Sequence, residues 1–203
     1  MEKTSFQQQV VADPTAIGLF GLAMVTLVAS TQKLGWTDGT SLIVPWAIFL
    51  GACAQIYASI LDSKKNNVFG TTAFGGYGFF WLGVAMTWLI QHGLFGESMM
   101  QGADLSQLGF AYVGYLIFTL FMTVGAMGVN KNLFIIFVLI DGLFLGLAMS
   151  TLAGSHFGHM LAGICELLIS LFSFYGSAAA VLNGHYKKQV LNVGKPFGPF
   201  IEG

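Results

Sequence analysis

Six apolar blocks separated by short polar connections organise the chain. Residues 17–31, 42–61, 71–90, 108–129, 133–152 and 160–182 are each nearly free of ionised side chains. About 20 residues of helix cross a bilayer's hydrocarbon core, and the first block reaches that length only when residues from Asp13 are counted. The pattern therefore predicts an all-α, polytopic membrane protein with six transmembrane helices. They form one domain over residues 13–186, between an N-terminal segment over 1–12 and a C-terminal tail over 187–203.

Punctuation residues refine these limits. Asp13-Pro14 reads as an N-cap followed by proline at the first helical position, and Pro45 stands near the start of the second span. Trp36, Trp46, Trp81 and Trp88 lie near span ends or one turn within, where tryptophans anchor helices to the membrane interface. The tail NVGKPFGPFIEG, broken by proline and glycine, reads as a strap and not a helix. Small residues recur every four positions at Gly142, Gly146 and Ser150 and at Gly176, Ala180 and Gly184, a spacing that suits close helix packing. The stretch NNVFGTTAFGGYGFFW, residues 66–81, is denser still in glycine. It is open to two readings: a close-packed helix face, or a locally unwound backbone where Thr71 and Thr72 supply donors.

Composition agrees with the pattern. The chain is 55% hydrophobic and 8% charged, with a mean hydropathy of +0.74, whereas a soluble domain carries about 25% charged residues. A net charge of −1 without a basic patch gives no reason to expect nucleic acid as a partner. No cleavable signal is evident, because the first residues lack the apolar core such signals need. Cys53 and Cys165, in separate apolar blocks, read as small buried hydrophobes. There is no arginine. With both ends on one side, seven of the eight lysines share that side and only Lys33 falls opposite. Lysine-rich short loops stay in the cytoplasm, so both termini are expected there, with the protein in the plasma (inner) membrane.

Candidate chemistry is sparse. HExxH, GxSxG, GxxxxGK and Cys-x-x-Cys are all absent. No enzyme, cofactor or metal site is expected, and the paired imidazoles of SHFGH read as interfacial histidines. What stands out is Asp141 near the middle of its span and Glu166 well inside another. A charged carboxylate at the membrane centre costs about 2.5–3.5 kcal/mol on insertion scales. Each acid is therefore either a proton relay or a neutral acid hydrogen-bonded between helices, with Glu166 the closer to the second description. No lysine or arginine is expected at depth. An anion would then rely on helix N-termini and on hydroxyl and amide donors, a path suited to a small, weakly held or protonated solute. Asp13, Gln55, Thr71 and Thr72 are the candidate polar lining.

Three stretches carry a family resemblance. Asp13 to Leu19, DPTAIGL, resembles the NPAPLGL signature of the acetate uptake transporter family, whose bacterial type is the succinate–acetate permease. Ala54 to Trp81 is similar to the segment joining that family's second and third spans, and Phe118 to Gly128 resembles its fourth. The resemblance implies proton-linked or channel-like movement of acetate and similar short carboxylates, in a homohexameric ring with one pathway per protomer. It also implies an apolar constriction, which falls here on Leu22, Tyr77 and Ile140. Family members can carry phenylalanine at the first position and leucine at the last. Asp13 and Ala16 also depart from the signature, where asparagine and a second proline are usual. The alternatives are a non-transporting sensor or scaffold that retains the fold, and a passive channel for another small neutral solute.

Overall fold

A computed structural model describes residues 11–200, so the expected N-terminal segment over 1–12 lies almost wholly outside the described residues. The described chain is helical throughout, without a strand. Its long helices are α1 Thr15–Lys33, α2 Ile43–Lys64, α3 Val68–Gln91, α4 Leu105–Met127, α5 Lys131–Ala153 and α6 His156–Tyr186, each long and apolar enough to cross a membrane. A five-residue helix, Glu97–Gln101, interrupts the α3–α4 connection.

Side-chain caps set most helix starts. Asn67 accepts from the Gly70 N–H, Asn130 from Leu133 and Ser155 from Gly158, satisfying donors that the first turn leaves free. At α1 the cap position falls on Pro14, one residue later than Asp13, although the Asp13 carboxylate still accepts from the Thr15 N–H at 3.0 Å. Helix α5 stops at Gly154, whose φ of +61° is left-handed and favours glycine.

Packing contacts run in the order α3–α2–α1–α6–α5–α4, and the circuit closes loosely where α4 meets α3. On the α1–α6 seam, Ser170 and Ser177 donate to the carbonyls of Ala23 and Ala16 at 2.8 and 2.7 Å. On the α5–α6 seam, a Cβ on Gly146 would meet the backbone of Gly158 and Ala162, so the α5 stripe of small residues packs within the protomer. The seam between α3 and α4 is bridged by rings instead. Tyr77 and Phe80 of α3 meet Tyr115 and Phe118 of α4 with centroids 4.9–6.5 Å apart.

Helix α3 resolves the glycine-rich stretch. It is continuous from Val68, so the unwound alternative is not what the chain adopts. A Cβ on Gly76 would meet the Phe118 ring at 2.8 Å, and one on Gly78 would meet Ile56 at 2.7 Å. These glycines let α2 and α4 approach closely. The irregular backbone lies in α2, whose residues Ala47–Ala54 form wider π-type turns. There Gly51 faces the ring of Trp81, which is buried at 4% exposure and is therefore a core residue and not an interfacial anchor. Cys165 is buried, but Cys53 faces outward.

After Tyr186 the chain turns back across the start of α5. The Asn132 N–H donates to the Val193 carbonyl and the Phe197 N–H to Met127, both at 2.9 Å, and Asn183 accepts from the N–H groups of Val190 and Leu191.

Candidate permeation pathway

The starts of α1, α3 and α5 and the ends of α2 and α6 lie on one face of the bundle, the face that carries the described chain ends. A cavity of about 400 Å³ enters the protein there, between these five helices. Asp13, Asn67, Asn130 and Asn183 stand at its mouth, and three helix N-termini, each equivalent to roughly half a positive charge, are directed toward it.

At its inner end the cavity meets Leu22, Tyr77 and Ile140, exposed by only 6%, 4% and 3%. Their convergence follows from helix arithmetic. Leu22 lies 7 residues beyond the start of α1, and Tyr77 and Ile140 each lie 9 beyond the starts of α3 and α5. At 1.5 Å per residue this is a common depth of about 10–14 Å. Gln55 of α2, nine residues before that helix ends, reaches the same level. Its Nε2 donates to the Gly51 carbonyl at 2.7 Å. Beyond Tyr77 the space is filled by rings. Phe80 lies 5.0 Å from Phe144, and Tyr115 stacks on Phe144 at 5.4 Å.

Not every candidate reaches this cavity. Gly70, Ala73, Phe74 and Tyr77 line it at helical spacing, which turns Thr71 and Thr72 to other sides of α3. The Thr71 carbonyl accepts from Ser59 at 2.7 Å, its own hydroxyl is buried without a partner among the described residues, and Thr72 is exposed. Ser173 likewise keeps a buried hydroxyl without a partner among the described residues, whereas other buried hydroxyls nearby are committed. Thr26 donates to the Leu22 carbonyl at 2.7 Å, and Ser170 and Ser177 of α6 donate to α1 carbonyls. Thr26, Ser170 and Ser177 therefore offer no hydroxyl hydrogen to the cavity. In a dry helix bundle, backbone carbonyls within reach take those hydrogens first.

Neither intramembrane acid lines the cavity. Asp141 sits between α4 and α5, where its Oδ2 accepts from Thr123 at 2.7 Å and its Oδ1 is buried without a partner among the described residues. Glu166 is 2% exposed and pairs with Lys33 at 2.9 Å. This corrects the expectation of no cation at depth. Lys33 ends α1, but its four-carbon stem carries the ammonium inward to α6.

Asp62 was missed by the sequence reading. It is 2% exposed and lines the cavity, its Oδ1 accepts from Asn67 Nδ2 at 3.0 Å, and its Oδ2 packs against Gly70 without a partner among the described residues. The signal for it was Asp62 standing five residues before Asn67 at a helix boundary, just past the end of the second apolar block. The described lining thus contains two carboxyl groups, Asp13 and Asp62, and no lysine, arginine or histidine.

A profile of the GPR1/FUN34/yaaH family matches residues 2–194. The succinate-acetate/proton symporter SatP of Escherichia coli (strain K12) is 33% identical over 185 residues, spanning 91% of this chain and 96% of that one. The structure of the bacterial acetate channel SatP superposes with a TM-score of 0.84 at 31% identity, covering 91% of this chain and 100% of the other. The ammonia transport outward protein 2 of Saccharomyces cerevisiae is 27% identical over 84% of this chain, which spans 61% of that protein.

Proposed function

We propose that this chain, which belongs to the GPR1/FUN34/yaaH family, carries acetate and related short carboxylates across the membrane with protons, through the cavity and past Leu22, Tyr77 and Ile140. The observation that carries the reading is that one cavity brings those three side chains together at a common depth, where three helices meet. Leucine, isoleucine and the tyrosine ring present an apolar neck that admits a solute with a short hydrocarbon part. The names of the E. coli relative and of the solved channel support acetate and succinate as cargo.

Glu166, held by Lys33 away from the cavity, fits a structural role. A relay through Asp141 would have to reach the pathway through protein groups, beginning with Thr123. Lysine placement supports a plasma-membrane protein with both termini in the cytoplasm, which makes the cavity mouth cytoplasmic. The resemblance supports a hexameric ring. Large apolar side chains such as Phe110, Ile117 and Phe121 of α4 point outward, available to lipid or to neighbouring copies.

Labelled acetate uptake into liposomes containing the purified protein tests the reading. Uptake above that of protein-free liposomes, reduced by competing propionate or succinate, is expected. Uptake no greater than in protein-free liposomes would leave a non-transporting sensor or scaffold. The yeast relative's name favours one second reading, a path for a small neutral solute such as ammonia. Competition by ammonium and not by carboxylates would select it. Tyr77→Ala is expected to widen the neck and relax size selectivity among carboxylates, and an unchanged preference would count against the constriction.

A further inference from the structure

We propose that the groove between α5, α6 and the C-terminal strap binds an anionic phospholipid, with Lys131 and Lys195 on its phosphate and the outer flank of α5 and α6 against its acyl chains. The groove lies outside the candidate pathway, and its occupancy does not depend on which solute that pathway carries.

Two adjoining cavities, each of about 530 Å³, form the groove, and they share Lys131, Asn192, Val193 and Gly194. The first is apolar and lies on the flank of two membrane-spanning helices, where Ile135 of α5 and Leu171, Phe172 and Tyr175 of α6 line it. Ile135, Leu171 and Tyr175 are exposed, although lipid or another copy of the chain is all that can cover them at this depth. Asn132 fixes the level, because its Nδ2 donates to the Phe172 carbonyl at 3.2 Å. Ile135 stands four residues beyond the start of α5, about 6 Å along the helix. The apolar cavity thus sits where a lipid's glycerol gives way to its acyl chains. The Tyr175 hydroxyl donates to the Asn192 carbonyl at 2.8 Å, which places a tyrosine at the boundary between apolar groove and polar rim.

The second cavity supplies that rim. Lys131, Lys195, Asn183, Gln189 and Asn192 line it, and its described lining contains no carboxylate. The strap shapes it through Gly194, whose φ of +79° is left-handed and where a Cβ would meet the Lys131 stem at 2.7 Å. The lysine stem therefore packs directly on the strap. Asn192 Oδ1 accepts from the Gly194 N–H at 2.9 Å, while its Nδ2 hydrogens have no described protein acceptor. Neither ammonium group has an ion-pair partner among the described residues.

This chemistry selects the occupant. A basic rim above an apolar wall between membrane helices complements an anionic head carried on hydrocarbon chains. A water-soluble anion would use the rim and leave the apolar wall bare. A zwitterionic lipid would cover the wall but bring its own cation to a positive rim. Val193 and Asn183 line both the polar cavity and the mouth of the candidate pathway, so a lipid held here contacts the strap where it borders that mouth.

Native mass spectrometry of the purified protein in neutral detergent, titrated with phosphatidylglycerol or with phosphatidylcholine of the same chains, tests the site. Phosphatidylglycerol is expected to bind about tenfold more tightly. Lys131→Gln/Lys195→Gln should abolish that preference. Lys64→Gln/Lys188→Gln, which removes the same charge from the same face outside the groove, should keep it. All four lysines are exposed, so these variants retain the fold. Equal binding of the two lipids by wild type overturns the inference, and a groove covered by a neighbouring copy would give that result. An equal loss in both double variants also overturns it, since attraction would then belong to the whole face. Glycerol 3-phosphate, a head without chains, should not displace the lipid; displacement at matching concentration would make this a soluble-anion site and overturn the inference.

Discussion

Glu166 and Asp141 are both carboxyl groups within membrane-spanning helices, yet their surroundings share almost nothing. Glu166 has a cation 2.9 Å away, supplied by a lysine 133 residues distant in sequence. Asp141 has one threonine hydroxyl, one buried oxygen without a described partner, and no cation within ion-pair distance among the described residues. The difference arises because α1 and α6 pack tightly and antiparallel, so the last residue of α1 falls beside the upper third of α6. Depth along a helix does not decide what an acid does in a membrane. The helix opposite it does.

Removing the partner from the paired site should give the largest effect. Lys33→Met leaves Glu166 buried and unpaired, and the expected loss is about 3–5 kcal/mol of stability, read as a lowered unfolding midpoint in detergent. The double variant Lys33→Met/Glu166→Met should recover much of it. A double variant no better than the single one would mean that the pair holds more than itself.

The unpaired acid makes the complementary case. Asp141→Asn keeps shape and an acceptor for Thr123, so stability should change by less than about 1 kcal/mol. Because Asp141 lies off the cavity, pH-gradient-driven accumulation should also persist. An assembled Asp141→Asn protein that no longer accumulates acetate would make Asp141 a proton relay.

A third acid, outside the spans, gives the smallest effect. Asp104 caps α4, and the hydrogen bond from the Ser106 backbone N–H holds its carboxyl below the usual carboxylate range. The folded state thus binds the proton less readily than the unfolded chain. The cap's stabilisation is complete above the ordinary carboxylate pKa and is lost as pH falls through the lowered value. The difference in unfolding midpoint between wild type and Asp104→Ala should accordingly shrink on acidification below about pH 4.

Spacing along a helix explains where several of the residues singled out in the sequence lie. Leu22, Tyr77 and Ile140 came from aligned motifs on three helices, and the common cavity joins them because each stands a similar distance from a helix start on the same face. Thr71 and Thr72 were singled out as donors for a locally unwound backbone, and in the continuous helix the 100° step carries them off that face. Lys33 was read as lying opposite the other lysines at the end of a span, whereas its charge is paired with Glu166 of α6. Asp62 fell just outside an apolar block and was read as part of a connection, although Gly70 and Asn67 fold over it.

By itself the sequence determined the solvent, the number of spans, their sense across the bundle and the family, because block length, charge scarcity and local motifs are properties of a chain before it packs. It also supplied the glycines that the α2–α3–α4 contacts require. Which acid meets a cation, which hydroxyl hydrogens remain free and where α2 widens its turns were decided only in the tertiary structure. Those outcomes depend on which atom lies within 3 Å across a seam, and residues tens to more than a hundred positions apart compete for each hydrogen there.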